Sequence, residues 1–309
     1  MNSGFYRQVA ALALIAISVF AAFPTLSSDT AKPPSGLKLG ARVDAAPLSS
    51  RQSGRWTGYT IDLCRRIFDR YQREYARLYE AADSGASVAI RQPDFIETSP
   101  VERIDALEKG RIDMMCGATT VTISRMRRVD FTLLTFVSGA GIMKKAGTDV
   151  SLLGSAGRKK RRNPIVVYVG CTDQMEYEDC TTTENWISSR FGSAIVPLPK
   201  ENHIKAFEAL REDEADFYVA DRVILANRLD SLEAPDNFVL APAFLTFEPY
   251  AIALAKGNDL LLNTANSVIA ELYRNAANKG GINEIYDNYF KLEKGEMLKM
   301  MYRLQALPD

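Results

Sequence analysis

Short hydrophobic runs alternate along this chain with longer segments in which apolar residues recur at helical spacing. The short runs predict strands, and they cover residues 37–43, 112–116, 133–141, 165–169, 194–198, 215–220, 238–240 and 248–255. The helical segments are amphipathic and cover residues 61–75, 204–211, 223–229, 259–278 and 282–290. Strands that alternate with helices predict an α/β fold, with parallel sheets covered by helices on both faces.

The chain is organised around residues 103–145, where a short helix leads into a strand and a polar turn. Gly110 is at the position expected for the C-cap of the helix, and the strand at residues 112–116 ends at Gly117. Thr119, Thr120 and Arg125 then precede or open the next helix. Such a turn collects backbone N–H groups, hydroxyls and a guanidinium, which suits a bound carboxylate. The alternative is an ordinary threonine-rich connection with no ligand.

The N-terminus has the pattern of a secretory signal peptide. Arg7 is the first charged residue and precedes an apolar run at residues 9–23, which is shorter than the ~20 residues of a membrane span. We expect cleavage after about residue 26. An uncleaved anchor is the alternative.

Composition narrows the classes of function. The 309 residues include 38 basic and 38 acidic side chains, so nothing global favours nucleic acid or an anionic membrane. A basic run at residues 158–162 is the one local exception, and in an exported protein a solvated loop explains it better than a nucleic-acid patch. One histidine and four cysteines, without metal-ligand spacing, predict no metal and no cofactor.

Several motifs together resemble one family. The region has the order R-x-x-x-L-x-x-G-x-x-D, G-x-T-T, Arg125 and V-D-F, with Gly-Tyr-Thr-Ile-Asp-Leu at residues 58–63 upstream and Glu-Pro-Tyr at residues 248–250 downstream. This set is similar to the family 3 periplasmic solute-binding proteins of polar amino-acid ABC transporters, and most similar to their glutamate/aspartate-binding branch. The sequence departs from that branch at Ala118, where serine is expected, and by one extra residue between Ser99 and Arg103.

The resemblance implies a type II periplasmic binding protein fold with two lobes, two hinge crossings and the ligand in the cleft between the lobes. It implies lobe 1 at residues 36–138 with 242–295, lobe 2 at residues 139–241 and a C-terminal tail at residues 296–309. It also implies a non-enzymatic monomer that delivers glutamate or aspartate to an ABC permease. The alternatives are a binding protein for another polar amino acid and an enzyme on the same scaffold, such as a cyclohexadienyl dehydratase.

The family's ligand-binding positions map onto nine residues of this chain: Arg42, Ser99, Arg103, Thr119, Thr120, Arg125, Thr172, His203 and Asp221. Arg125 and Thr120 would bind the α-carboxylate, and Asp221 the ammonium group. Arg42, Arg103 and Ser99 would bind the side-chain carboxylate.

Each of these assignments has a structural alternative. Arg125 could be one of three solvated helix charges, Asp221 could cap the following helix, and His203 could be a surface residue at a helix start.

Two of the four cysteines lie close together in the sequence. Cys171 and Cys180 are nine residues apart in a loop-like segment, and an exported chain permits a disulfide between them. Cys64 and Cys116 fall on a predicted helix and at a strand end, so both could be buried core thiols.

Overall fold

The computed structural model describes residues 36–79, 91–153, 163–171 and 180–308. Three predictions fall outside these residues: the signal peptide at residues 1–26, the basic run at residues 158–162 and the ligand contact by Thr172. Within the described part of the chain, no helix is both long enough and apolar enough to cross a membrane.

The first lobe is built on a five-stranded sheet. Its strands are β1 (Lys38–Ala41), β5 (Asp94–Glu97), β6 (Met114–Cys116), β7 (Asp130–Ser138) and β13 (Glu248–Leu254). The order is β5-β1-β6-β13-β7, with β5, β1 and β6 parallel and β13 antiparallel to both of its neighbours. The sheet is mixed, rather than parallel as predicted, because β13 returns from the second lobe at the end where β7 leaves.

Helices cover both faces of this sheet. They are α1 (Tyr59–Tyr79), α2 (Arg103–Glu108), α3 (Ile123–Arg128), α7 (Asp259–Arg274) and α8 (Ile282–Tyr289). The predicted apolar face of α1 is buried in the main core. The helix α7 ends at Arg274 with Asn275 as its C-cap, four residues before the predicted end.

The second lobe carries another five-stranded sheet. Its strands are β8 (Ala140–Lys145), β9 (Ile165–Val169), β10 (Val196–Lys200), β11 (Phe217–Asp221) and β12 (Phe238–Leu240). The order is β10-β9-β11-β8-β12. The strands β10, β9 and β11 are parallel, β8 is antiparallel to β11, and β12 is antiparallel to β8. The helices α4 (Thr182–Phe191), α5 (His203–Arg211) and α6 (Arg222–Asp230) pack around it.

A small third sheet follows β1. It consists of β2 (Asp44–Ala45), β3 (Ser49–Gln52) and β4 (Arg55–Thr57). The hydrophobic pattern predicted no strand here, because strands of two to four residues carry too little alternation to be recognised. This sheet brings Asp44 to the edge of the cleft.

The two chain crossings between the lobes lie side by side. The Ala140 N–H donates to the Thr246 hydroxyl at 2.8 Å, and the Leu245 N–H donates to the Ala140 carbonyl at 2.8 Å. At Gly139 a Cβ atom would collide with the Thr246 carbonyl oxygen. The close approach of the two crossings therefore requires glycine at this position.

The C-terminal segment, whose position the sequence did not predict, packs on lobe 1. Residues Glu296–Leu304 form the helix α9, which buries Leu298, Met301 and Tyr302 in the main core. The Tyr302 hydroxyl lies 2.9 Å from the Tyr59 hydroxyl. This segment therefore contributes to the stability of lobe 1.

All four cysteines are paired. Cys171 and Cys180 form the predicted disulfide, with Cα atoms 5.5 Å apart. Cys64 and Cys116 form a second disulfide, with Cα atoms 6.1 Å apart, so the expectation of two separate core thiols is wrong. No sequence pattern indicated this pair, because the two cysteines are 52 residues apart and only the packing of α1 on β6 brings them together.

Candidate functional site

The polar turn after β6 forms the floor of the cleft between the lobes. Its first residues are held against β13, because the Ala251 N–H donates to the Thr119 carbonyl at 3.2 Å and Thr120 forms a β-bridge with Tyr250. Thr122 is the N-cap of α3, and its hydroxyl accepts from the Arg125 N–H at 3.1 Å. The turn is therefore fixed at both ends before any ligand binds.

Arg125 is buried in this turn. Its side chain is 0% exposed, which excludes the alternative of a solvated helix charge. The guanidinium donates to the Thr120 carbonyl at 3.1 Å and, across the cleft, to the Cys180 carbonyl at 3.3 Å. Arg125 thus connects the turn of lobe 1 to the segment of lobe 2 that carries the Cys171–Cys180 disulfide.

The cleft itself is lined by both lobes. Lobe 1 and lobe 2 together contribute Arg42, Pro100, Arg103, Ala118, Thr120, Val169, Thr181, Thr182, Thr183, His203, Val219, Ala220 and Asp221. Five of the nine predicted ligand residues are in this set. Thr119 and Arg125 are fully buried beside it, and Thr172 lies outside the described residues.

Ser99 has a local role. Its hydroxyl accepts from the Glu102 N–H at 3.2 Å, while the Glu102 carboxylate accepts from the Ser99 N–H at 2.8 Å. This reciprocal pair closes the turn before α2, and Pro100 lines the cleft there instead. Arg103, the first residue of α2, is 4% exposed and reaches the cleft.

Asp221 ends β11 and faces the cleft. It is at the N-cap position of α6 but makes no side-chain cap hydrogen bond, so the structure does not support a helix-capping role. Its Oδ1 is buried and accepts no hydrogen bond from the described residues. Burial and the nearby Glu248 charge raise the pKa of Asp221 to about 7, against the opposing effects of the neighbouring Tyr250 hydroxyl, Arg42 and Arg103. The result is a buried carboxyl group that a bound cation would ionise.

Arg42 is paired within the chain. Its Nε and Nη2 donate to the two carboxylate oxygens of Asp44 at 3.0 and 3.1 Å, and both side chains are buried. Asp44 Oδ2 also accepts from the backbone N–H of His203, in lobe 2, at 2.8 Å. Burial alone would raise the pKa of Asp44, but the Arg42 charge and the His203 contacts hold it well below the ordinary value.

His203 is a buried, uncharged member of the cleft. It is 6% exposed, so the alternative of a surface residue is wrong. Its Nδ1 lies 2.5 Å from the Tyr218 hydroxyl. Burial lowers the pKa of His203 to about 3, since the repulsion from Arg42 adds to burial and the attraction of Asp44 only partly offsets both. It therefore offers hydrogen bonds without charge at neutral pH.

Glu248, the first residue of β13, accepts hydrogen bonds from both lobes and from the second chain crossing. Its carboxylate accepts from the hydroxyls of Thr120 at 2.5 Å, Thr182 at 2.8 Å and Thr246 at 3.0 Å. Charge-assisted hydrogen bonds of this kind are stronger than those between neutral groups. Glu248 therefore stabilises the contact between the lobes beside the cleft.

Sequence reasoning missed the roles of three groups here. Asp44 follows Arg42 at the spacing that places side chains on one side of an extended chain, so Arg-x-Asp was a usable signal. Glu248 was part of a matched motif but was given no role. The three consecutive threonines at residues 181–183 line the cleft on the side of lobe 2. Three adjacent hydroxyls in the sequence could have indicated a polar binding surface.

Comparisons with known proteins agree on the family. Residues 37–292 match the sequence pattern of the family described as "Bacterial extracellular solute-binding proteins, family 3". The glutamine-binding protein of a Bacillus subtilis ABC transporter is 26% identical over 67% of this chain and 68% of its own. The L-glutamate/L-aspartate-binding protein of Pseudomonas aeruginosa is 22% identical over 82% of this chain and 76% of its own.

Solved structures share the fold. An ancestral arginine-binding protein bound to arginine has a TM-score of 0.65 and 23% identity, covering 83% of this chain and 99% of its own. An ancestral amino acid-binding protein described as a precursor of cyclohexadienyl dehydratase has a TM-score of 0.62 and 24% identity, covering 83% and 96%. The fold is thus the two-lobed type II fold of periplasmic amino acid-binding proteins.

This two-lobed fold with a polar cleft between the lobes defines the class of extracytoplasmic binding proteins. The chain belongs to the bacterial extracellular solute-binding proteins, family 3. The two relatives compared above are both named as amino acid-binding proteins.

Proposed function

We propose that this chain captures an acidic amino acid, glutamate or aspartate, outside the cytoplasm and delivers it to an ABC permease. The observation that carries the proposal is the cleft, which combines the fully buried Arg125 with Arg103 and the opposing carboxyl of Asp221. In this proposal residues 36–138 with 242–295 form lobe 1, residues 139–241 form lobe 2, and the protein is a monomer exported by cleavage of its signal peptide.

The α-carboxylate binds in the turn after β6. Arg125 and the backbone N–H groups of the turn are its donors. The Thr120 hydroxyl joins them when its single hydrogen turns from Glu248 to the ligand, and Thr119 and Thr172 are the other predicted hydroxyls. The bond from Arg125 to the Cys180 carbonyl crosses the cleft, so a ligand carboxylate there would contact both lobes. A guanidinium fork with convergent N–H groups is the usual recognition site for a carboxylate.

The ammonium group binds Asp221. Because the Oδ1 of Asp221 accepts no hydrogen bond from the described residues, it offers an acceptor to the ligand. An ammonium group there would compensate a buried charge, which supports this assignment. Glu248, which raises the pKa of Asp221, adds to the negative potential at this point.

The second carboxylate binds between Arg103, Arg42 and His203, with Ser99 as the more distant predicted contact. Arg103 is the main cation in this assignment, because Arg42 already has Asp44 as its partner. His203 is neutral at physiological pH and therefore contributes only a hydrogen bond.

A neutral polar amino acid such as glutamine is the second candidate ligand. The observation that favours it is the Arg42–Asp44 pair, which removes one net positive charge from the subsite for the ligand side chain. A relative that is named as a glutamine-binding protein also supports it.

An enzyme on the same scaffold is a further alternative, and the raised pKa of Asp221 favours it. A buried carboxyl whose pKa is about 7 is the kind of group that can act as a general acid. Transport binding proteins among the relatives favour the non-enzymatic function.

Isothermal titration with the twenty amino acids tests the proposal, combined with a search for a converted product by mass spectrometry. We expect glutamate or aspartate to be among the tightest ligands and to be recovered unchanged. Chemical turnover would favour the enzyme, and no binding of either acidic ligand would refute the proposed substrate.

A further inference from the structure

Asp44 occupies the Nε–Nη2 edge of the Arg42 guanidinium, one of the edges on which arginine binds a carboxylate in two hydrogen bonds. The two oxygens of Asp44 accept from Nε and Nη2 of Arg42, at 3.0 and 3.1 Å, in the bidentate arrangement typical of arginine and carboxylates. The Arg42 side chain is 3% exposed and that of Asp44 2% exposed. The pair is therefore a buried ion pair in which each charge already has its partner.

The pairing changes what Arg42 can contribute to the cleft. A guanidinium has five N–H donors, and Asp44 uses two of them. Arg42 can still donate hydrogen bonds to a ligand, but it brings no net charge with it. An amide oxygen can use such donors nearly as well as a carboxylate oxygen, whereas only the carboxylate needs the charge.

Asp44 is also fixed by the opposite lobe. Its Oδ2 accepts the His203 N–H from the start of α5 at 2.8 Å. With the lobes in contact, moving the Asp44 carboxylate away from Arg42 would also leave the buried His203 N–H without its acceptor, which is unfavourable. A ligand carboxylate therefore competes with Asp44 for Arg42 at a disadvantage.

We propose that Asp44 determines how strongly the cleft distinguishes a carboxylate from an amide in the ligand's side chain. Asp44 already neutralises Arg42, as the side-chain carboxylate of a ligand would otherwise do. The cleft therefore binds glutamine as well as glutamate. This inference rests on the proposed function, because it assumes that an amino acid side chain lies against Arg42. The negative charge of Asp44 repels the side-chain carboxylate of an acidic ligand and so disfavours that ligand relative to its amide.

Four proteins test the inference by calorimetry with glutamate and with glutamine: the unmodified chain, Asp44→Asn, Arg42→Gln and the double variant. Removing the Asp44 charge should shift the ratio of affinities toward glutamate by at least about tenfold, since one opposing unit charge near the ligand is lost. Arg42→Gln should shift the ratio toward glutamine. The double variant should return near the unmodified ratio, because it removes both charges of the pair.

The control is Asp62→Asn, which makes the same change in an Asp–Arg pair outside the cleft, where Asp62 accepts from Arg65 at 2.9 Å. It should leave the ratio unchanged. Asp44→Ser serves as a second variant if Asp44→Asn does not fold, as judged by circular dichroism.

The outcomes separate this inference from the proposed function. If the unmodified chain binds no amino acid, the proposed function fails. If it binds glutamate or glutamine and Asp44→Asn weakens both equally, or leaves their ratio within about twofold, Asp44 is only a contact between the lobes and the inference is wrong.

Discussion

Ligand binding should release a proton from Asp221. The pKa of this buried carboxyl is raised to about 7 by burial and by the Glu248 charge. Compared with an ordinary value of 3.8, this corresponds to about 4 kcal/mol against ionisation in the cleft. A ligand ammonium beside Asp221 offsets that cost and lowers the pKa, so the group must lose its proton when the ligand binds.

The magnitude follows from linkage. At pH 7 the carboxyl is about half protonated, so binding should release about half a proton per ligand. Below pH 7 the affinity should fall by about tenfold per pH unit, until the pH reaches the pKa of the complex. His203 does not contribute in this range, because its pKa of about 3 keeps it neutral.

Calorimetry at pH 7 in two buffers with different ionisation enthalpies measures the proton release directly. Asp221→Asn should abolish the release and weaken binding at every pH. Glu248→Gln should reduce the release at pH 7, because it removes a charge that raises the pKa of Asp221. An affinity that stays constant between pH 5 and 8, or a release below about 0.1 proton, would refute the reasoning.

The same group predicts the pH dependence of stability without ligand. The folded chain binds more protons at Asp221 than the unfolded chain between about pH 4 and 7, so this contribution to stability falls as pH rises through that range. We therefore expect Asp221→Asn to raise the melting temperature more at pH 8 than at pH 5. Thermal unfolding at both pH values measures the difference.

The remaining predictions concern the arginines, a disulfide and the crossing. Arg125→Ala should abolish binding of every amino acid, whereas Arg103→Ala should cost glutamate or aspartate about 3–5 kcal/mol and glutamine much less, measured by calorimetry. Replacing Cys171 and Cys180 by serine should lower the free energy of unfolding by about 2–3 kcal/mol, measured by denaturant titration. Gly139→Ala should destabilise the chain by about 1–3 kcal/mol, because the added Cβ collides with the other crossing, as thermal unfolding will detect.

Three of these predictions have a control or an outcome that would contradict them. Equal losses of glutamate and glutamine affinity on Arg103→Ala would exclude it as the selector of the acidic side chain. Thiol titration without reductant should find no reactive cysteine, and four reactive thiols would contradict the paired state. Gly295→Ala is the control for Gly139→Ala, because Gly295 has a φ of −61° and open space around it, so it makes the same substitution without a collision.

Much of the local structure was determined by the sequence alone. The strand at residues 165–169 was predicted at its observed boundaries, and α5 begins one residue before the predicted start. A helix start near Arg125 was also predicted after the hydroxyl-rich turn, and α3 begins two residues earlier, at Ile123, where the Thr122 hydroxyl caps it. These features depend on backbone propensity and hydrogen bonds between near neighbours, which a short segment carries in itself.

The motif order also predicted which residues would meet. Arg42, Arg103, Thr120, His203 and Asp221 come from distant parts of the chain and line one cleft. Ser99 shows the limit of this transfer, because its hydroxyl closes a local turn beside the position of the extra residue. A motif predicts which element carries a residue, whereas the direction of a side chain depends on the spacing within its turn.

Tertiary structure alone decided the partners of the buried groups. The disulfide between Cys64 and Cys116 depends on the packing of α1 against β6, and the raised pKa of Asp221 depends on its burial near Glu248. Asp44 accepts from Arg42 within its own lobe and from His203 in the other. The physical reason is that desolvation and charge–charge energies depend on distances through space, and those distances exist only after the two lobes have folded and met.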